Sequence, residues 1–148
     1  RSALPIDSLA HLKRPLVFTN GCFDILHSGH VELFCRARDL GETLVVGLNS
    51  DDSVRGLKGS ERPLNLWPER ARVIAALFAV DTVIGFAEGT PENLIRFLRP
   101  DVHVKGGDYR PEELPERDAV LSVGGRIEII PLLNGFSTTG LIERMRNG

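Results

Sequence analysis

Five short apolar runs, separated by helix-patterned segments, limit what this 148-residue chain can fold into more than any other feature. The runs are Leu16–Thr19, Thr43–Leu48, Thr82–Ile84, Val102–Lys105 and Arg126–Ile130. They are mostly near-continuous rather than alternating, which is the pattern of strands covered on both faces. Between the first two, residues 29–40 carry Val31, Leu33, Phe34, Ala37 and Leu40 at helical spacing, with Gly41 as a stop. Residues 49–66 read as a polar loop, and within it Asp51-Asp52 reads as a solvated pair. Pro68–Phe78 suits a helix with proline in its first turn and Ala71, Ile74, Ala75 and Leu77 facing inward. Thr90-Pro91-Glu92 opens another helix, with Thr90 as N-cap and Pro91 at the first helical position, running to about Arg99. Segment 111–118 reads as a surface loop or short helix, and Ser137 caps a last helix through Met145. Strands alternating with helices in this order predict one α/β domain over 1–148, its core at about 12–146, built on a doubly wound parallel five-stranded sheet.

In such a sheet, ligands bind beyond the carboxyl ends of the strands where strand order reverses. Thr19-Asn-Gly-Cys-Phe-Asp-Ile-Leu-His-Ser-Gly-His30 follows the first strand, and Lys105-Gly-Gly-Asp-Tyr109 follows the fourth, so both face one crevice. His27 and His30 are three residues apart at a strand-to-helix turn, on one face and beside the positive end of the helix dipole. Two imidazole donors there can hold a phosphate. Structural histidines and zinc ligands are the competing readings. Zinc asks for further N or S ligands, and Cys22 and Cys35 form neither a CxxC pair nor a finger spacing. His11 and His103 read as surface or strand-packing residues, and Trp67 as a packing anchor or a base-stacking ring.

Composition removes several classes. A net charge of −2 with 26% charged residues offers no polyanion-binding surface, so nucleic acid is not an expected partner. No apolar run reaches membrane-spanning length, and the first residues lack the layout of a secretory signal. Two cysteines fit a reducing compartment as small, semi-buried thiols, and a cytoplasmic location is expected. Neither a GxGxxG after a strand nor a GxxxxGK[ST] is present, which weighs against dinucleotide oxidoreductases and Walker-type NTPases.

Gly21-Cys-Phe-Asp-Ile-Leu-His-Ser-Gly-His30 resembles the signature of the HxGH nucleotidyltransferase superfamily, which includes the cytidylyltransferases and has a Rossmann-like fold. Leu57-Lys-Gly-Ser-Glu-Arg-Pro63, Val104-Lys-Gly-Gly-Asp-Tyr109 and Phe136-Ser-Thr-Thr139, the last before Leu141-Ile-Glu-Arg-Met145, narrow the resemblance. Together they are similar to the adenylyltransferase domain of the bacterial heptose 1-phosphate kinase/adenylyltransferase family, across residues 12 to 146. The resemblance implies transfer of AMP from ATP to a heptose 1-phosphate, giving an ADP-heptose for lipopolysaccharide core or another glycan, with release of pyrophosphate. It implies a fused or separate sugar kinase as partner and allows a homo-oligomer.

The resemblance also implies roles. His27, His30 and Lys58 are the catalytic set, the histidines donating to α-phosphate oxygens and Lys58 clamping the triphosphate. Thr19, Asn20, Gly21, Phe23, Gly29, Gly106, Asp108 and Tyr109 line the nucleotide side together with Ser137, Thr138 and Thr139, whose plainer role is N-capping. Arg62 and Lys105 contact phosphate or sugar, and Asp24 either binds a sugar hydroxyl or caps its own turn. Lys58 and Arg62 are expected on a loop able to close over ATP. Mg²⁺ is expected to be held mainly by nucleotide phosphates and water, with no protein carboxylate cage. Two alternatives stand beside this reading: a cytidylyltransferase acting on glycerol phosphate or a similar polyol or amino-alcohol phosphate, and a non-catalytic nucleotide sensor. The first is weakened by Leu132 and by Lys105-Gly-Gly-Asp-Tyr109, where that subfamily's patterns differ. The second is weakened because no catalytic motif is missing.

Overall fold

The computed structural model describes residues 11–131. Five parallel strands, β1 (Leu16–Gly21), β2 (Thr43–Asn49), β3 (Thr82–Phe86), β4 (Val102–Gly106) and β5 (Arg126–Ile130), form one sheet in the order β3-β2-β1-β4-β5. The chain winds outward from β1 through β2 to β3, then crosses to the other side of β1 for β4 and β5. The strand order therefore reverses between β1 and β4, which fixes the crevice at the carboxyl ends of those two strands.

Alternate residues of each strand feed two cores. Val17, Leu44, Val46, Leu48, Val83, Val102 and Val104 pack with Leu33, Phe34 and Ala37 of α1 (Ser28–Arg38) and with Ala71, Ile74 and Ala75 of a later helix, Trp67–Ala75. Leu16, Phe18, Val45 and Ile84 pack on the opposite face with Ile95 and Leu98 of Glu92–Leu98 and with Ala119 and Val120 of Arg117–Ser122. These two covered faces explain why the strands read as near-continuous apolar runs.

Three details depart from the expectations, and the Trp67–Ala75 helix matches them. Residues 49–66 are not all loop: Asp51–Lys58 forms α2, capped by the Ser50 hydroxyl accepting from the Ser53 N–H, with Asp51 and Asp52 in the first turn. The Trp67–Ala75 helix (α3) carries Pro68 in its first turn, and its Ala71, Ile74 and Ala75 face inward as expected, with Leu77 packed beside them. Glu92–Leu98 (α4) starts one residue later than expected, with Pro91 as N-cap and no side-chain cap bond; the Thr90 hydroxyl donates instead to the Glu92 carboxylate. Arg117–Ser122 (α5) emerges from the acid-rich segment, and Glu116 just before it is buried rather than solvated. Its carboxylate lies 3.0 Å from His103 Nε2, which faces the same core and stacks on Phe18. Burial is the largest influence and pushes the Glu116 carboxyl up. The His103 hydrogen bond, a backbone hydrogen bond and the charges of His103 and Lys105 together outweigh it and hold the group below the usual carboxylate range. The helix expected from Ser137 to Met145, with Thr138 and Thr139, lies outside the described residues.

Candidate active site

The turn after β1 is shaped by a pair of imidazoles acting on the backbone and on each other. His27 is the N-cap of α1, and its Nδ1 accepts from the Gly29 N–H at 3.1 Å. His30 reaches back so that its Nδ1 accepts from the His27 N–H at 3.3 Å. This is a capping box in which both side chains are histidine. The rings stack with centroids 3.9 Å apart. Because each Nδ1 accepts, each ring, when neutral, carries its proton on Nε2. Burial, and then the neighbouring His27, lower the His30 pKa from 6.5 to about 4. At neutral pH His30 is therefore an uncharged donor.

Phe23 supports this pair from behind. It occupies a left-handed backbone conformation with φ of 45°, and its ring meets His30 edge-on at 5.4 Å and Phe34 at 5.1 Å. A Cβ on Gly21 would lie 2.9 Å from that ring, so the glycine makes the fold-back feasible. The turn after β4 repeats the device. Gly107 has φ of +122°, and a Cβ there would lie 3.0 Å from the Tyr109 ring, over which Lys105 Nζ sits at 5.6 Å from the centroid.

A cleft of about 470 Å³ opens between these two turns, a size suited to a nucleotide-scale ligand. Of the expected residues, Thr19, Asn20, Gly21, Phe23, Asp24, His27, His30, Lys58, Arg62, Lys105, Gly106 and Tyr109 are brought together around it. Gly29 is buried inside the first turn of α1 with its N–H committed to His27, and Asp108 is exposed; neither lines the cleft. The Thr19 hydroxyl donates to the Val104 carbonyl at 2.8 Å and so ties β1 to β4. Asn20 keeps a buried Oδ1 without a protein hydrogen-bond partner, an acceptor poised beside the cleft. Trp67 is a packing residue: its indole N–H donates to the Leu48 carbonyl and its ring lies against Gly85.

Asp24 lines the cleft and at the same time holds a neighbouring segment. Its carboxylate is buried and accepts from the Leu64 N–H at 2.7 Å, the Asn65 N–H at 2.8 Å and Arg62 Nε at 2.9 Å. It does not cap its own turn; it fastens the 62–65 segment to the histidine turn. Burial raises its pKa, but the two backbone donors and the Arg62 guanidinium outweigh that and hold it below the usual carboxylate range. Arg62 is correspondingly fixed at 11% side-chain exposure, and Lys58 ends a helix rather than riding on a loop.

Arg70 was not singled out by the sequence, where it reads as one more charge on an amphipathic helix. Its side chain is wholly buried and touches four segments. Nη1 donates to the carbonyls of Cys22 at 2.8 Å and Asn49 at 2.9 Å, Nε to the Asn65 carbonyl at 2.9 Å, and Nη2 to Asp51 at 2.7 Å. Asp51 is thus an ion-pair partner, not a solvated loop residue, whereas Asp52 is exposed and pairs with Arg55. Cys22, half-buried in the same turn, has its thiol pushed up by burial, which the charges of Lys58, Arg70 and Arg62 partly offset. Among the described residues no group of three or more His, Cys, Asp or Glu side chains is placed to hold a metal ion, and no helix is long and apolar enough to cross a membrane.

A cleft lined by Lys58, Arg62, Lys105 and the stacked His27–His30 pair lies at the reversal point of a parallel α/β sheet. Comparison with known proteins narrows this. The cytidylyltransferase-like family model matches residues 18–144, and the chain belongs to that family. It is 56% identical over 133 residues to the bifunctional protein HldE of Geotalea uraniireducens, covering 90% of this chain and 27% of that protein. It is 50% identical over 140 residues to the HldE of Pseudomonas syringae pv. syringae, covering 95% of this chain and 29% of that one. The chain therefore spans little more than a quarter of the curated relatives it matches. Among solved structures, the lipopolysaccharide core biosynthesis protein of Thermoplasma volcanium aligns with a TM-score of 0.65 and 27% identity, covering 80% of this chain and 95% of that one. Pantothenate synthetase from Thermus thermophilus shares the fold, with a TM-score of 0.63 at 19% identity, over 97% of this chain and 69% of that one. The family resemblance drawn from the four motifs is borne out.

Proposed function

We propose that this domain transfers the AMP moiety of ATP to D-glycero-D-manno-heptose 1-phosphate, releasing pyrophosphate and forming an ADP-heptose. The observation that carries it is the paired Nε2–H donors of His27 and His30, in one cleft with Lys58, Arg62 and Lys105. The names of its relatives, HldE and a lipopolysaccharide core biosynthesis protein, point to the same chemistry.

A sugar phosphate is largely dianionic at neutral pH, since its second pKa is near 6, so the attacking oxygen needs no general base. One of its oxygens forms a bond to the α-phosphorus as the bond to the bridging oxygen of the β-phosphate breaks, and the electron pair leaves with pyrophosphate. The barrier is charge against charge, so catalysis is positioning and neutralisation. His27 and His30 donate to α-phosphate oxygens, where negative charge crowds in the transition state. His30, uncharged at neutral pH, donates without first taking up a proton. Lys58 approaches from the end of α2 and holds the β- and γ-phosphates; Lys105, at the end of β4, lines the same cleft. Mg²⁺ fits this arrangement as a companion of the nucleotide, because the carboxylates of Asp24 and Asp51 are already committed to protein donors. When bound it supplies neutralisation of the triphosphate charge.

Sequence similarity over a quarter of a bifunctional relative makes a sugar kinase, fused or separate, the expected supplier of the sugar phosphate. The deciding experiment measures pyrophosphate release with Mg²⁺, crossing ATP and CTP with heptose 1-phosphate and glycerol 3-phosphate. Turnover confined to ATP with the heptose phosphate supports the proposal. Turnover with CTP and glycerol phosphate, or ATP binding with no turnover in any pairing, overturns it.

A further inference from the structure

We propose that Arg70 is a positioning residue, one that sets where Lys58 stands relative to the histidine pair. The proposal rests on the role just given to Lys58. Burying a guanidinium is a poor route to stability, because well-packed apolar side chains of similar size often serve as well or better. A buried arginine with four directed bonds is instead suited to fixing geometry. Two of its partners, the carbonyls of Cys22 and Asn49, sit at the carboxyl ends of the adjacent strands β1 and β2, where the cleft opens. A third, Asp51, is the first residue of α2, and Lys58 is its last. The fourth, the Asn65 carbonyl, belongs to the segment that Asp24 already fastens to the histidine turn. One rigid fork therefore registers the β1 turn, the base of the Lys58 helix and the Arg62-bearing segment against each other.

No other residue type reproduces this. Lysine preserves the charge but carries its three donors on one nitrogen, and that point cannot serve carbonyls on two strands together with a carboxylate and a further carbonyl. Ion pairing with Asp51 also neutralises Arg70, so its effect on the bound phosphates is exerted through placement rather than through direct charge.

The test is a double-mutant cycle, read on both Mg-ATP affinity and turnover, with Arg70→Lys, Lys58→Ala and the double variant. Arg70→Lys is expected to lower kcat/KM about tenfold, and Lys58→Ala about a hundredfold, the scale of losing one phosphate-stabilising group or misplacing it by an ångström. If Arg70 acts through Lys58, the double variant loses no more than Lys58→Ala alone. A double variant that loses the product of the two, about a thousandfold, overturns the proposal, as does an Arg70→Lys enzyme with wild-type parameters. Fluorescence of Trp67, the single tryptophan, reports whether each variant folds. Should Arg70→Lys not fold, Asp51→Ala removes only the link to α2, and the same non-additivity with Lys58→Ala is expected at a few-fold scale. Absence of turnover in the wild type overturns the transfer reaction, while the Mg-ATP affinity cycle still decides the placement of Lys58.

Discussion

Replacing Asp24 by asparagine isolates the loop-fastening role that the structure gives this carboxylate. The side chains are nearly isosteric, but asparagine offers one acceptor oxygen where Asp24 uses two. With that oxygen at the Oδ2 position, Arg62 Nε and the Leu64 N–H remain served, and the new NH₂ group is turned against the Asn65 N–H. One buried donor left unmatched costs about 1–3 kcal/mol, and the two surviving bonds lose the reinforcement of a full negative charge. Together these amount to about 3 kcal/mol, or roughly 6–12 °C in Tm for a chain of this length. Urea unfolding followed by Trp67 fluorescence measures it directly. The pH dependence supplies a second check. The folded carboxyl lies below its unfolded value, so its stabilisation is present above about pH 4 and is lost as pH falls through the lowered folded value. The gap between wild type and Asp24→Asn should therefore narrow in acid. A difference under about 1 kcal/mol at pH 7, with KM for the sugar phosphate raised, would refute the fastening role and restore Asp24 to the substrate.

Two other perturbations follow from the turns. His30→Gln keeps a side-chain acceptor at the third position of the capping box, whereas His30→Ala removes it; both should lose about a hundredfold in turnover, but only the alanine variant should also lose about 1 kcal/mol of stability, measured by urea unfolding. Since the folded His30 pKa is lowered from 6.5 to about 4, wild-type stability should fall as pH drops from about 6.5 towards 4, and the glutamine variant should lack that slope. Gly107→Ala places a Cβ at positive φ and 3.0 Å from the Tyr109 ring; a loss of about 1–3 kcal/mol, with weaker ATP binding by calorimetry, is expected.

The sheet was legible in the sequence because double-sided burial writes each strand as an apolar run, and the histidine turn was legible because its residues are unusual and local. Helix α2 was not, because it buries little beyond Ser53 and Val54. Its signal was Ser50 followed by two acids, a cap and a dipole preference rather than an apolar stripe. Glu116 was misread for a related reason: its partner His103 lies 13 residues away on β4, and only the fold brings them together. Arg70 is the extreme case. Nothing local distinguishes it from Arg72 two residues on; backbone carbonyls from distant segments decide which of the two turns inward.

The reciprocal hydrogen bonds of His27 and His30 have a consequence for how such a site can change over evolutionary time. The His30 ring is oriented by the His27 N–H, and the His27 ring by the Gly29 N–H and by stacking on His30, so neither position can drift while its neighbour stands still. Altering one disturbs the start of α1, the direction of the remaining Nε2–H and the contact with Phe23 in a single step. Selection thus meets the two histidines as one heritable unit. A lineage that abandons the chemistry should lose both together, leaving few surviving intermediates with a single imidazole.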